Sequence, residues 1–193
     1  MKKMTGMLLA LFAGSAVFAA PVFRADVTGL RKEGKVGIEP VSGEGMKATV
    51  PGFQKPENRP YCVNAFTPAP LKAGEWTACS FTFKANDNGT VTIEFGGQWD
   101  KDAEKRDWVL IGPVSVNGEA LPNSDYAQTA KDSRGRTVPG GGYWLNGKAE
   151  LLAGAGPDGK GAVRANHDNR FCSAVKVEAG KTYKVGAKVM PAK

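Results

Sequence analysis

His167 is the single histidine of the 193-residue chain, so any Ser-His-Asp or Cys-His relay has to pass through it. No serine stands in a Gly-x-Ser-x-Gly elbow, and His167-Asp168-Asn169-Arg170 reads as a polar turn between strands. One histidine also excludes a zinc site built on several. Glycoside hydrolysis needs only two carboxylates. The 19 Asp and Glu offer many pairs, and nothing in the sequence singles one out. The glycine-rich segments Gly140 to Gly142 and Gly154 to Gly159 lack the strand-loop-helix setting of a phosphate loop and read as turns. Asp100, Asp102 and Glu104 alternate like the start of a calcium loop. Lys105 takes the turn-glycine position and Ile111 that of the bidentate glutamate, so the cluster reads as a solvated loop. The expectation is a protein with no catalytic residue, metal or cofactor.

The aromatic residues suggest a different chemistry. A pyranose offers a flat C–H face and a rim of hydroxyls, and an exposed indole beside planar polar groups matches both. Trp99 follows Gly96-Gly97-Gln98 at a strand end and enters a charged loop, and Trp144 follows the glycine run. These two are the expected ligand contacts. Trp76 and Trp108 each begin an apolar strand and are expected in the core. Gln98, Asn64, Arg164 and Asn166 fall on outward positions and complete the expected binding set, with Glu94 on the same outward polar strip. A plain solvated sheet face gives the same pattern, and both readings stay open.

The elements that must position these groups are strands. Phe81 and Phe83 alternate with Ser80, Thr82 and Lys84, while Val91, Ile93 and Phe95 alternate with Thr90, Thr92 and Glu94. Asn86-Asp87-Asn88-Gly89 lies between them, which predicts a hairpin. Val175 and Val177, an Ala179-Gly180-Lys181 turn, then Tyr183, Val185, Ala187 and Val189 repeat the pattern. Further strands are expected near 22–28, 35–41, 46–50, 61–66, 108–116, 149–152 and 162–166, and no helix beyond two turns. Many short strands with polar outer faces predict an all-β, antiparallel β-sandwich or jelly roll. Residues 124–142 are polar and unpatterned and read as a linker-like loop. It separates a larger part, 20–117, from a smaller part, 143–193, that shares its core to make a single domain.

Lys2 and Lys3, the apolar run from Met7 to Phe18 and small residues at Val17 and Ala19 read as an export leader over residues 1–19, with the mature chain starting at Ala20. The apolar run is too short to span a bilayer, so no membrane insertion is expected once the leader is gone. The mature chain keeps 24 Lys and Arg against 19 Asp and Glu, a net charge of +5. These cations are scattered, which argues against nucleic acid as a partner. Three cysteines in an exported chain allow one bridge. Strand parity turns Cys79 inward and Cys62 and Cys172 outward, which favours Cys62 with Cys172 if a bridge forms; three unpaired thiols remain an equal reading.

Short segments of the chain resemble a family of jelly-roll carbohydrate-binding modules, the galactose-binding-like β-sandwiches attached to secreted polysaccharide-degrading enzymes. The opening half of such modules is resembled by Leu121-Pro122-Asn123-Ser124-Asp125-Tyr126, Tyr143-Trp144-Leu145, Ala162-Val163-Arg164-Ala165-Asn166 and Ala179-Gly180-Lys181-Thr182-Tyr183. The closing half is resembled by Trp76 to Phe83, Gly89 to Phe95 and Trp108 to Val116. The halves stand in reversed order, which implies either a circular permutation or two incomplete modules that pair with other chains. The resemblance implies a glycan or polysaccharide as partner. Its calcium acids are replaced by Ala127 and by Gly112-Pro113, so the calcium site is expected to be lost. A structural or adhesive surface protein, with other surface proteins as partners, is the alternative.

Overall fold

The computed structural model describes residues 22–31, 34–54 and 60–192; the expected leader lies outside them. In chain order the strands are β1 (Phe23–Thr28), β2 (Leu30–Arg31), β3 (Gly34–Lys35), β4 (Ile38–Val41), β5 (Lys47–Thr49), β6 (Cys62–Phe66), β7 (Thr77–Ala85), β8 (Gly89–Gly97) and β9 (Val109–Val116). They continue as β10 (Glu119–Ala120), β11 (Thr129–Lys131), β12 (Thr137–Pro139), β13 (Tyr143–Leu145), β14 (Glu150–Leu152), β15 (Ala162–Ala165), β16 (Phe171–Val177) and β17 (Thr182–Pro191). Two antiparallel sheets hold most of them. A six-stranded sheet runs β13-β16-β8-β1-β6-β5, and a seven-stranded sheet runs β14-β15-β9-β17-β7-β4 with β10 added beside β9. The protein is a β-sandwich.

The alternation read from sequence is what closes it. Phe23, Ala25 and Val27 of β1 and Val91, Ile93 and Phe95 of β8 point inward and are fully buried, as do Phe81 and Phe83 of β7 and Val185 and Val189 of β17 from the facing sheet. The aromatic members stack in the core, Phe23 on Phe95 at 6.1 Å, Phe95 on Phe171 at 5.7 Å and Phe83 on Tyr183 at 5.5 Å between centroids. Each such side chain contributes roughly 1.5–3 kcal/mol by leaving water.

The expected hairpin of β7 with β8 does not form. β7 pairs with β4 and β17, while β8 pairs with β1 and β16 in the other sheet. The segment 86–88 is an arch that crosses between the sheets. Its groups bond outside any two-strand ladder: Asn86 N–H donates to Gly37 O, Asp87 Oδ2 accepts from Gly37 N–H, and Asn88 Oδ1 accepts from Ala179 N–H. That last bond ties it to the second arch, 178–181, which carries β16 into β17.

The stretch 124–142 carries ordered elements on a largely exposed surface. It holds the β11–β12 hairpin, and Tyr126 is 3% exposed, with its hydroxyl donating to Gly112 O at 2.7 Å and its ring edge-on to Tyr143 and Phe171. Trp76 and Trp108 are half-buried and lie outside the core. Val109 takes the inward position, so Trp108 faces outward, with the Arg164 guanidinium 4.2 Å above its ring.

The Cys62–Cys172 bridge is excluded by register. Cys62 stands opposite Thr28, Thr28 opposite Thr92 and Thr92 opposite Ala174, so the two cysteines are three strands apart and two residues out of line. Three strand spacings are about 14 Å, whereas a disulfide needs Cα atoms within about 7 Å. All three cysteines are free.

Candidate functional site

Antiparallel register carries one row of outward side chains across the six-stranded sheet. Trp144 stands opposite Cys172, Cys172 opposite Glu94, Glu94 opposite Asp26, Asp26 opposite Asn64 and Asn64 opposite Thr49. The carboxylate pair that sequence left undistinguished is therefore Asp26 with Glu94, with Cβ atoms about 5 Å apart by ladder geometry.

Asp26 is the hub of the row. Its Oδ1 accepts from Arg24 Nε at 2.8 Å and its Oδ2 from Arg170 Nη1 at 3.0 Å. Asn64 completes the set once its amide is oriented by the network, its nitrogen donating to Asp26 Oδ1 at 3.1 Å and its oxygen accepting from Arg24 Nη2 at 2.9 Å. These groups are largely shielded from solvent, and the pairing offsets the cost of burying their charge. Glu94 is also sheltered, and burial, only partly opposed by Arg170, holds its carboxyl above the ordinary glutamate value. Cys172 has no solvent exposure, and Asn146 Nδ2 lies 3.5 Å from its sulfur.

The row reaches one end of the sandwich through Arg170. There the turn 166–170 and the loop after β8 close onto the strand, and Gly96 and Gly97 permit the approach. A Cβ at Gly96 would lie 2.4 Å from Asn166 O, and one at Gly97 2.2 Å from Asp107 O. Arg170 Nε donates to His167 O, His167 Nδ1 lies 2.8 Å from Asp168 Oδ1, and Asp168 Oδ2 pairs with Arg106 Nη1. Arg106 also donates to Asp100 O at 2.8 Å and holds its guanidinium 6.0 Å from the Trp99 ring. A continuous chain of contacts thus runs from Asn64 to Trp99. Burial and the charges of Arg170 and Arg24 push the His167 ring down to about 4, outweighing the Asp26 carboxylate. The ring is neutral, and its Nδ1–H donates to Asp168.

Of the expected binding residues, the structure brings four to this sheet. Trp99 is 51% exposed and Trp144 37%, Gln98 is exposed at the end of β8, and Asn64 lies in the row. Two lie elsewhere. Arg164 is on β15 in the other sheet, stacked on Trp108 and 3.2 Å from Glu150 Oε1. Asn166 is 5% exposed, and its Oδ1 is spent on Asp168 N–H, Asn169 N–H and Asn169 Nδ2 within the turn. Parity placed Asn166 outward, but the chain leaves β15 at Ala165 and folds the amide inward.

Arg24, Asp26, Arg106 and Arg170 were not expected in a site, whereas Glu94 was expected on the outward polar strip and stands there. Arg24 and Asp26 were legible as outward neighbours two apart on β1; Arg170, 144 residues from Asp26, carried no local signal. The acidic loop is a short turn, with Asp102 accepting from Glu104 N–H and pairing with Lys105. Among the described residues no three His, Cys, Asp or Glu side chains gather where a metal could bind, and no helix is long and apolar enough to cross a membrane. No family model, curated protein or solved structure matches the chain.

Proposed function

We propose that the outer face of the six-stranded sheet binds carbohydrate without transforming it, on a chain exported by its leader. One observation carries this reading: the exposed Trp99 lies beside the Arg106 guanidinium, which a half-exposed Asp168 links to a largely shielded array of planar polar groups, Arg170, Asp26, Arg24 and Asn64. An indole platform beside guanidinium, carboxylate and amide groups supplies both an apolar face and oriented hydrogen bonds for a sugar, at little ordering cost because the array is already held. Trp144 gives a second platform at the far edge of the same sheet. The resemblance to carbohydrate-binding modules in permuted order supports the same reading.

A glycan array and an insoluble-polysaccharide pull-down with the chain from Ala20 test it. Binding that falls at least about tenfold in W99A, with an unchanged melting curve, supports the reading, a tenfold loss being about 1.4 kcal/mol. Failure of the folded protein to bind any glycan overturns it. The second reading, a structural or adhesive surface protein, is favoured by the saturation of Asp26, whose carboxylate is already bonded to Arg24, Arg170 and Asn64.

A further inference from the structure

Beside the free edge of β13, the β11–β12 hairpin turns back and leaves a groove of about 440 Å³. Trp144 lines one wall, and Lys131 and Arg134 line the hairpin side. The frame is rigid. Asp132 Oδ1 accepts from the N–H groups of Arg134 and Arg136 at 2.9 Å, and Asp132 Oδ2 accepts from Arg136 Nε at 2.8 Å. Arg136 Nη2 in turn donates to Leu145 O at 2.7 Å, pinning the hairpin to the sheet edge and capping a carbonyl that would otherwise be open.

The charge in this groove is unbalanced. Asp132 is the only acid among the lining residues and is spent on Arg136, while Arg134 makes no ion pair among the described residues. Lys131 Nζ donates one hydrogen to Thr137 Oγ1 at 2.8 Å and keeps two.

We infer that this groove takes the uronate unit of an acidic polysaccharide. The C–H face of the ring lies on Trp144, and the carboxylate is held by the fork of Arg134 with Lys131 beside it. The net positive charge of the chain draws a polyanion toward it. This inference rests on the reading that the protein binds glycan and names the chemical class of one ligand.

Calorimetric titration of the folded chain from Ala20 tests it, with tetragalacturonate, its carboxyl-reduced counterpart and polyglutamate as probes. The acidic sugar is expected to bind at least about tenfold more tightly than the reduced one, and R134A to lose about tenfold on the acidic sugar alone, the scale of one charge-assisted pair. K131A is expected to weaken the same probe, and W144A to remove binding at this groove. Equal affinity for the reduced sugar, or unchanged affinity in both R134A and K131A, overturns this inference and leaves the glycan reading standing. Polyglutamate bound as tightly as tetragalacturonate overturns it as well, because charge alone then suffices. No binding of either sugar or of any glycan by a normally melting protein overturns both.

Discussion

Asp26 and Glu94 face each other directly across the β1–β8 ladder, yet only Asp26 is bonded to guanidinium groups. Glu94 sits beside the same cations without accepting a hydrogen bond among the described residues, so its burial is only partly compensated.

Replacing Asp26 with Asn removes the charge of the hub and leaves the Arg24 and Arg170 guanidinium groups sharing one neutral amide acceptor in place of a carboxylate. Breaking a shielded ion pair on one side costs about 3 kcal/mol. D26N is therefore expected to lose about 3 kcal/mol of unfolding free energy at pH 7, read as a lower urea midpoint. A midpoint equal to that of the unmodified chain would show that the array adds nothing to the fold.

The raised Glu94 carboxyl stabilises the fold below the ordinary glutamate value, where folded and unfolded chains both hold the proton. As pH climbs through the ordinary value toward the raised one, the unfolded chain releases the proton first and stability is lost. E94Q should match the parent at pH 3.5 and unfold at higher urea concentration than the parent at pH 7. Parallel stability profiles from pH 3.5 to 7 would contradict this.

His167 titrates in the opposite sense. Its folded value of about 4 lies below the ordinary 6.5, so its contribution is fully present above 6.5 and is lost as pH falls through about 4. NMR of the ring should show a neutral imidazole at pH 5.5, and H167Q should flatten the acid side of the stability profile between these values. A midpoint near 6.5 would mean that burial and the charges of Arg170 and Arg24 do not lower the ring.

Burial pushes the thiol of Cys79 up to about 11 and that of Cys172 up to about 12, and raises half-buried Cys62 as well. Alkylation at pH 8 without reductant should modify Cys62 slowly in the native protein and all three in urea. Only one modified thiol in urea would reveal a disulfide and contradict the strand register.

Fold class was legible in the sequence because a period of two shows which residues turn inward, as for Phe81, Phe83, Val91 and Ile93. Alternation does not say which sheet receives the next strand. The residues of β7 and β8 read the same whether 86–88 is a hairpin or an arch, and the deciding bonds come from Gly37 and Ala179, far away in the chain. In the site, the exposed tryptophans were legible from the polar and glycine-rich residues around them. Gly96-Gly97 inside a strand pattern signalled that another backbone approaches there; which backbone depended on the path of 166–170. Arg164 was misplaced for the same reason as β8, since outward parity holds on either sheet.

The arches set how the chain reaches this structure. β8 is bonded to β1 and β16, and the partners of Glu94 on those strands, Asp26 and Cys172, lie 68 and 78 residues away. No neighbouring strand can start the six-stranded sheet around β8, so loop closure over long separations comes before the reward of pairing. Such topologies fold in milliseconds to seconds. For that interval both edges of the strand carrying Val91, Ile93 and Phe95 stay open, and the nascent chain is more exposed to self-association than the finished sandwich.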